Sequence, residues 1–377
     1  MTIFVQQLNL GGTGPRVAIK DTIDIAGYPT KGGSRSLDDA PTAARNADVV
    51  QRALDAGCQI IGKANLHELA FGVTGINRWT GTAPNPKYPD LIPGGSSSGS
   101  AAAVAAGLAD FALGTDTGGS IRIPAACCGI YGLKPTFGRV SRRGVLPAET
   151  SLDCVGPFAP DIDMLIAAMR VIDGSFAEPR ESAGRVALID VMAEPEITAT
   201  VRAAIENVGL EISHTRLDGM ESAFEAGLTI INAETWAAFG HLVKTGFVGE
   251  DVSTRLLRAA ETSTDDVAAA EIIRQAFTDA IDQALENVDA LILPTMPEYP
   301  ATVEDAMAGK SSVRITSLVR PFNLSGHPAL SIPLRSARNL PVGLQLVGRK
   351  GSDEDLCGLA RQIALKLNAC DIPMWRT

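Results

Sequence analysis

The chain has 377 residues, 45% hydrophobic and 20% charged, an ordinary globular balance that excludes a disordered polypeptide. With 33 Lys and Arg against 43 Asp and Glu the formal net charge is −10, which argues against the broad basic footprint of a nucleic-acid partner. Six cysteines (Cys58, Cys127, Cys128, Cys154, Cys357, Cys370) lie scattered without a CxxC pair, so neither a disulfide framework nor a zinc site is suggested. A reducing cytoplasm is the expectation. The first residues, MTIFVQQLNLGGTGPRVAIK, lack the basic flank and long apolar core of a signal peptide, and no apolar stretch reaches the ~18 residues of a membrane span. No membrane partner is expected.

In chain order, Pro15–Ile19 is a short β-prone run ending at Lys20, followed by a turn-rich Asp21–Gly27. Asp48–Ala56 predicts a helix with Val49, Val50, Ala53 and Leu54 on one face, and Cys58–Ile61 a compact strand closed by Gly62. The same order recurs. Ser97–Ala109 is a small-residue helix before a strand at Phe111–Gly114. Met164–Ile172 and Glu196–Val208 are helices before strands at Arg185–Ile189 and Leu210–His214. A long amphipathic helix over Asp266–Asn287 precedes the strand Ala290–Pro294. Helix–strand alternation with apolar strands argues for an α/β fold whose sheet is covered on both faces. No Pro/Gly/Ser linker divides the chain, so one large domain over residues 1–377 is expected, with residues 220–262 as a helical insertion capping one face.

The most unusual stretch is Pro93–Arg139. It holds two glycine–serine clusters, Gly94–Ser100 and Gly114–Ser120, joined by one helix and one strand. That arrangement can bring both clusters together. The first opens a helix, where backbone N–H groups are free donors, and Gly118–Gly119–Ser120 can aim further N–H groups at an oxyanion. Taken alone, GGSSSGS reads as a flexible loop or a phosphate-binding turn. A Walker A loop fails for want of the following Lys-Ser/Thr, and no GxGxxG stands here. Nucleophilic acyl chemistry suits two such clusters better, with Lys20 upstream. A serine needs a base, and His67, His214, His241 and His327 all lie outside a GxSxG-type setting and read as structural or surface residues. A buried lysine made neutral by desolvation is the remaining base. Asp21 and Asp24 lack a third ligand at suitable spacing, so no metal and no cofactor are expected.

These residues resemble the amidase signature family of serine hydrolases along nearly the whole chain. The elements that carry the resemblance are VAIKDTIDIAG at Val17–Gly27, IIGKANLHELAFG at Ile60–Gly72, the central block Pro93–Arg139 and GRVSRRGVLPAETSLDCVGPFA at Gly138–Ala159. Nearer the C-terminus come ALILPTMP at Ala290–Pro297, FNLSGHPALSIP at Phe322–Pro333 and LPVGLQLVGR at Leu340–Arg349. The resemblance implies a central mixed, twisted sheet and a Ser–cis-Ser–Lys triad. Ser120 would be the nucleophile, Ser96 the bridging serine after a cis peptide bond, and Lys20 the terminal base. The N–H groups of Thr117, Gly118, Gly119 and Ser120 would form the oxyanion hole. Ser97 would hydrogen-bond Lys20, while Asp116 and Arg122 brace the loop. Arg122 has a second reading as a carboxylate anchor. Lys63 in GKAN reads as structural, and Cys127 and Cys128 as packing residues.

The implied activity is hydrolysis of a small linear amide through a seryl acyl-enzyme. The alternatives are a urea-like or carbamate substrate, the glutaminase-type subunit of a tRNA-dependent amidotransferase, and, least favoured, a non-catalytic binding homologue. The acyl pocket is expected from Val73–Trp79, Glu149–Thr150, Met220–Thr262 and Thr316–Phe322, with Arg314 and Arg320 as candidate anchors for an acidic substrate group. In the family a helical segment of some tens of residues precedes the lysine, often supporting oligomerisation, whereas 19 residues precede Lys20 here. A homodimer is the expected assembly, without that segment to build it.

Overall fold

Side-chain alternation along the strands decides the layering. In β2 (Arg16–Lys20), Val17 and Ile19 join one core while Ala18 joins another. In β7 (Arg185–Ile189) and β9 (Ala290–Pro294), Val186, Leu188 and Ile292 point one way, and Ala187, Ile189, Leu291 and Leu293 the other. A period of two with both phases apolar requires cover on both faces. The computed structural model, which describes residues 2–180, 182–310 and 313–369, supplies that cover. Helices Asp48–Asp55, Ile162–Ile172, Pro195–Asn207 and Asp353–Ala369 pack on the first face. Helices Ser98–Ala105 and Arg122–Cys128, then Met220–Phe239 and Thr264–Ala284, cover the second.

The remaining strands are β1 (Phe4–Gly11), β3 (Gln59–Ala64), β4 (Phe111–Asp116), β5 (Tyr131–Lys134), β6 (Cys154–Ala159), β8 (Glu211–Thr215), β10 (Ala329–Arg335) and β11 (Pro341–Val347). All eleven form one sheet in the order β1-β3-β2-β4-β6-β5-β10-β11-β9-β7-β8. It is mixed: β2 runs parallel to β3 and β4, and β7 to β8 and β9, whereas the pairs joining these two parallel sets, and β1 with β3, are antiparallel. The long helix begins at Thr264 because Ser263 caps it, accepting from the Asp266 N–H while the Asp266 carboxylate accepts from Ser263 N–H.

Several elements lie outside the helix–strand alternation read from the sequence. Strand β1 carries Gln6, Gln7 and Asn9 and owes its place to pairing with β3. β5 has four residues, too few for a pattern. Among the described residues, no helix is long and apolar enough to cross a membrane, and no cluster of three or more His, Cys, Asp or Glu is placed to hold a metal ion. Cys58, Cys127, Cys128, Cys154 and Cys357 are free and buried, and Cys370 lies outside the described residues.

Candidate active site

The site sits on the small-residue face of the sheet. Lys20 ends β2 and shares the side of Ala18, so it emerges among Ala64, Ala101, Ala103 and Ala112. Such short side chains let the helix Ser98–Ala105 lie close on the strands. A Cβ on Gly99 would stand 2.4 Å from Asn65 N, so only glycine permits that approach. The turn before this helix holds Ser96 directly over the lysine, with the Gly95–Ser96 peptide bond cis. Lys20 is fully buried, and its Nζ lies 2.7 Å from both Ser96 Oγ and Thr115 Oγ1. Burial pushes the amine down to about 7 against the opposing fields of Asp153 and Asp116.

Ser97 does not take the place the resemblance implied for it. Its Oγ donates to the Thr115 carbonyl at 3.2 Å and accepts from the Thr115 N–H at 3.4 Å, tying the serine turn to β4. The second hydroxyl on Lys20 comes from Thr115 instead, because β4 lies next to β2 and alternation points that side chain at the lysine.

The loop leaving β4 is organised around Asp116. Its carboxylate accepts from Gly119 N–H at 2.7 Å, Ile121 N–H at 3.1 Å and Arg122 Nε and Nη2 at 3.0 Å each. Asn323 Nδ2 adds a contact at 2.8 Å. Burial pushes this carboxyl up, but Arg122 and Asn323 more than reverse that and hold it well below the usual range. The other donors of Arg122 go to Val319 O and Gln345 Oε1 at 2.8 Å and Asn323 Oδ1 at 2.6 Å. This arginine is therefore consumed inside the protein, on the bracing side of its two readings. Gly119 turns at φ +115°, where a Cβ would meet Val319 Cγ2 at 2.5 Å. Because its N–H is taken by Asp116, the loop offers a narrower set of donors than the resemblance implied. Thr117, Gly118 and Ser120 have N–H groups with no partner among the described residues. Thr117 is steadied through its hydroxyl, which donates to Asp153 at 2.8 Å.

Ser120 is 8% exposed and lines a cavity of about 260 Å³. Thr117, Gly118 and Ser120 form one wall. Phe71 and Val73 form another, and Leu228, Ile231, Asn232, Arg255 and Arg258 come from residues 220–262, joined by Arg320. The other candidate arginine, Arg314, is outside: it pairs with Glu221 at 2.9 Å on the surface. Glu149 and Thr150 are also absent from the lining, and Thr150 instead donates to Glu234. None of the four histidines lines the cavity. Lys63 is held by Asp21 at 2.8 Å and by Pro29 O at 2.7 Å. Thr115, Asn323, Gln345, Arg255 and Arg258 escaped the sequence reading. Asn323 and Gln345 lie inside FNLSGHPALSIP and LPVGLQLVGR, but an amide side chain announces no chemistry until its partners are known.

A buried lysine bonded to Ser96 and a cavity lined by Ser120 are thus set on one mixed eleven-stranded sheet. A family model described as Amidase matches residues 13–225 and 192–357, and the chain belongs to the amidase signature family. Among particular relatives, a glutamyl-tRNA(Gln) amidotransferase subunit from Symbiobacterium thermophilum is 34% identical over 398 residues, covering 92% of this chain and 81% of its own. A crystal structure of an amidase superposes with a TM-score of 0.86 at 31% identity, over 94% of this chain and 84% of that one. The allophanate hydrolase of Kluyveromyces lactis superposes with a TM-score of 0.83 at 28% identity, over 94% of this chain and 61% of that one.

Proposed function

We propose that this protein hydrolyses the carbon–nitrogen bond of a small linear amide through an acyl-enzyme on Ser120. The observation that carries the proposal is a buried lysine biased towards its neutral form, 2.7 Å from Ser96 Oγ, together with the cavity that Ser120 lines. A neutral amine has the lone pair that an ammonium lacks. Lys20 takes the Ser96 proton as Ser96 takes that of Ser120, and Ser120 Oγ attacks the carbonyl carbon. The oxyanion forms against the free N–H groups of Thr117, Gly118 and Ser120. On collapse the proton returns through Ser96 to the departing nitrogen, which leaves as ammonia or an amine. Water then adds to the acyl-enzyme by the same relay and frees the acid.

The test is ammonia release by the purified chain from small amides, dicarboxylic monoamides and ureas. Turnover is expected without a partner, and Ser120→Ala should lower it by at least about 10³-fold. A fluorophosphonate should label Ser120 in a peptide map. Activity of Ser120→Ala within tenfold of the parent would overturn the nucleophile. A second reading, the glutaminase-type component of an amidotransferase, is favoured by the 34% identity to the Symbiobacterium thermophilum protein. It requires a chain idle alone and active with its partner proteins. A urea-like substrate is favoured by the likeness to allophanate hydrolase and would emerge from the same panel. A homodimer in the cytoplasm remains part of this proposal.

A further inference from the structure

Arg320 opens the short helix Arg320–Leu324 and is 4% exposed. Its Nη1 reaches one acceptor, the Phe224 carbonyl, at a long 3.4 Å, and its guanidinium lies 4.3 Å from the centroid of the Phe224 ring. Nε is buried with no hydrogen-bond partner among the described residues, and Nη2 donates to no described residue. No carboxylate of the described residues forms an ion pair with it. Burial accordingly pushes this guanidinium down to about 10, with only partial opposition from Glu225. A buried charge left in that condition is costly unless something completes it.

Arg320 lines the cavity of Ser120, with its Nε itself sealed from it and Nη2 left without a partner among the described residues. A Cβ on Gly118 would stand 3.4 Å from Nε, so the arginine adjoins the loop that carries the free N–H donors. Arg255 and Arg258 line the same cavity, and no acidic side chain does. Arg255 is already engaged, donating to Phe71 O at 2.9 Å and lying 3.8 Å from Asp251. Phe71, Val73, Leu228 and Ile231 make the rest of the wall largely apolar, with Asn232 its polar member. A guanidinium whose Nη2 has no acceptor among the described residues matches a carboxylate, which accepts charge-assisted N–H bonds.

We propose that the acyl part of the substrate carries a carboxylate received by the guanidinium of Arg320 through Nη2, so that the preferred substrates are monoamides of short dicarboxylic acids. The spacer is short because the guanidinium and the oxyanion donors meet at Gly118, and because about 260 Å³ lies below the ~300–1,000 Å³ of sites for larger ligands. The proposal rests on hydrolysis at Ser120 for its kinetic arm only.

That arm compares succinamate and glutaramate with the neutral diamides of the same length. The monoamides should exceed the diamides in kcat/KM by at least ~100-fold, since a site built for a charged hydrogen-bonding group discriminates strongly against its absence. In Arg320→Met that ratio should fall by at least ~30-fold, and in Arg320→Lys, which keeps charge but not the guanidinium, by less. A parent enzyme without the preference, or a folded Arg320→Met that retains it, would overturn the proposal. Should Arg320→Met not fold, Arg320→Lys carries the comparison, and an unchanged ratio there counts against the guanidinium. If neither series releases ammonia, hydrolysis at Ser120 fails, and the arginine is read by calorimetry with succinate. Succinate should bind the parent and lose at least ~30-fold in affinity in the Arg320 variant. Equal affinity, or no binding to either, would overturn the carboxylate site.

Discussion

Below the cavity Arg122 is fully buried, and all three of its side-chain nitrogens reach Asp116, Val319, Gln345 or Asn323; across the cavity Arg320 is nearly as buried and one edge of it reaches nothing. The two regions hold the same functional group at similar depth. In the first, complementary partners from the end of β4, from Val319 and Asn323, and from β11 make a closed network that stiffens the loop carrying Ser120. In the second, the protein supplies an aromatic ring and a distant carbonyl, leaving donors without an acceptor among the described residues beside the cavity. A satisfied buried charge is part of the scaffold, whereas an unsatisfied one facing a cavity is a receptor.

The largest expected effect concerns the floor. Lys20→Arg replaces an amine that can lose its proton with a guanidinium that cannot, and should cost about 10²–10⁴-fold in kcat/KM, as much as Lys20→Ala. Substantial activity in Lys20→Arg would mean that the floor works as a fixed charge. The same chemistry sets the pH profile. Below about pH 7 the ammonium form of Lys20 dominates and cannot accept a proton, so kcat/KM should rise with pH through about 7. A flat profile from pH 5 to 9 would remove the lysine from the relay.

Stability should separate the two arginines next. Arg122→Leu strands Asp116 in the core and should lose about 3–5 kcal/mol in denaturant unfolding. Arg320→Met deletes a charge that has no ion partner and should change stability by less than about 1 kcal/mol, or raise it. Equal losses would erase the distinction between scaffold and receptor. A smaller effect is expected at the hydroxyls. Thr115→Val removes one hydrogen bond from Lys20 and should reduce kcat/KM by about 2–12-fold, the equivalent of ~0.5–1.5 kcal/mol. Ser97→Ala, whose hydroxyl serves the backbone of β4, should alter kcat/KM less than Thr115→Val; the reverse order would restore Ser97 as the lysine's partner. Least of all, Arg314→Ala should leave melting temperature and kcat/KM at parent values, because its partner Glu221 is on the surface.

Legibility in the sequence followed the range of each interaction. Helix–strand alternation through Asp48–Ile61, Met164–His214 and Asp266–Pro294 was readable because apolar periodicity is local. β1 was not, since its polar residues make sense only as an edge paired with β3. At the site, Lys20, Ser96 and Ser120 stand out by motif; the structure joins Lys20 to Ser96 and places Ser120 on the cavity wall. Thr115 was hidden inside an apolar strand, and Ser97 was assigned the contact that Thr115 makes. Strand register, set by the pairing of β4 with β2, selects the side chain that points at the lysine.

By itself the sequence determined the α/β class and the family, because these depend on local periodicity and on contiguous motifs. Tertiary structure alone decided which groups are free to act. Asp116 takes the Gly119 N–H out of the set of free donors, Arg314 pairs with Glu221 on the surface, and Arg320 keeps a buried, unpartnered Nε beside Gly118. The physical reason is that a donor's availability depends on what lies within about 3 Å of it. For these residues, that neighbour comes from a part of the chain that the local pattern does not name.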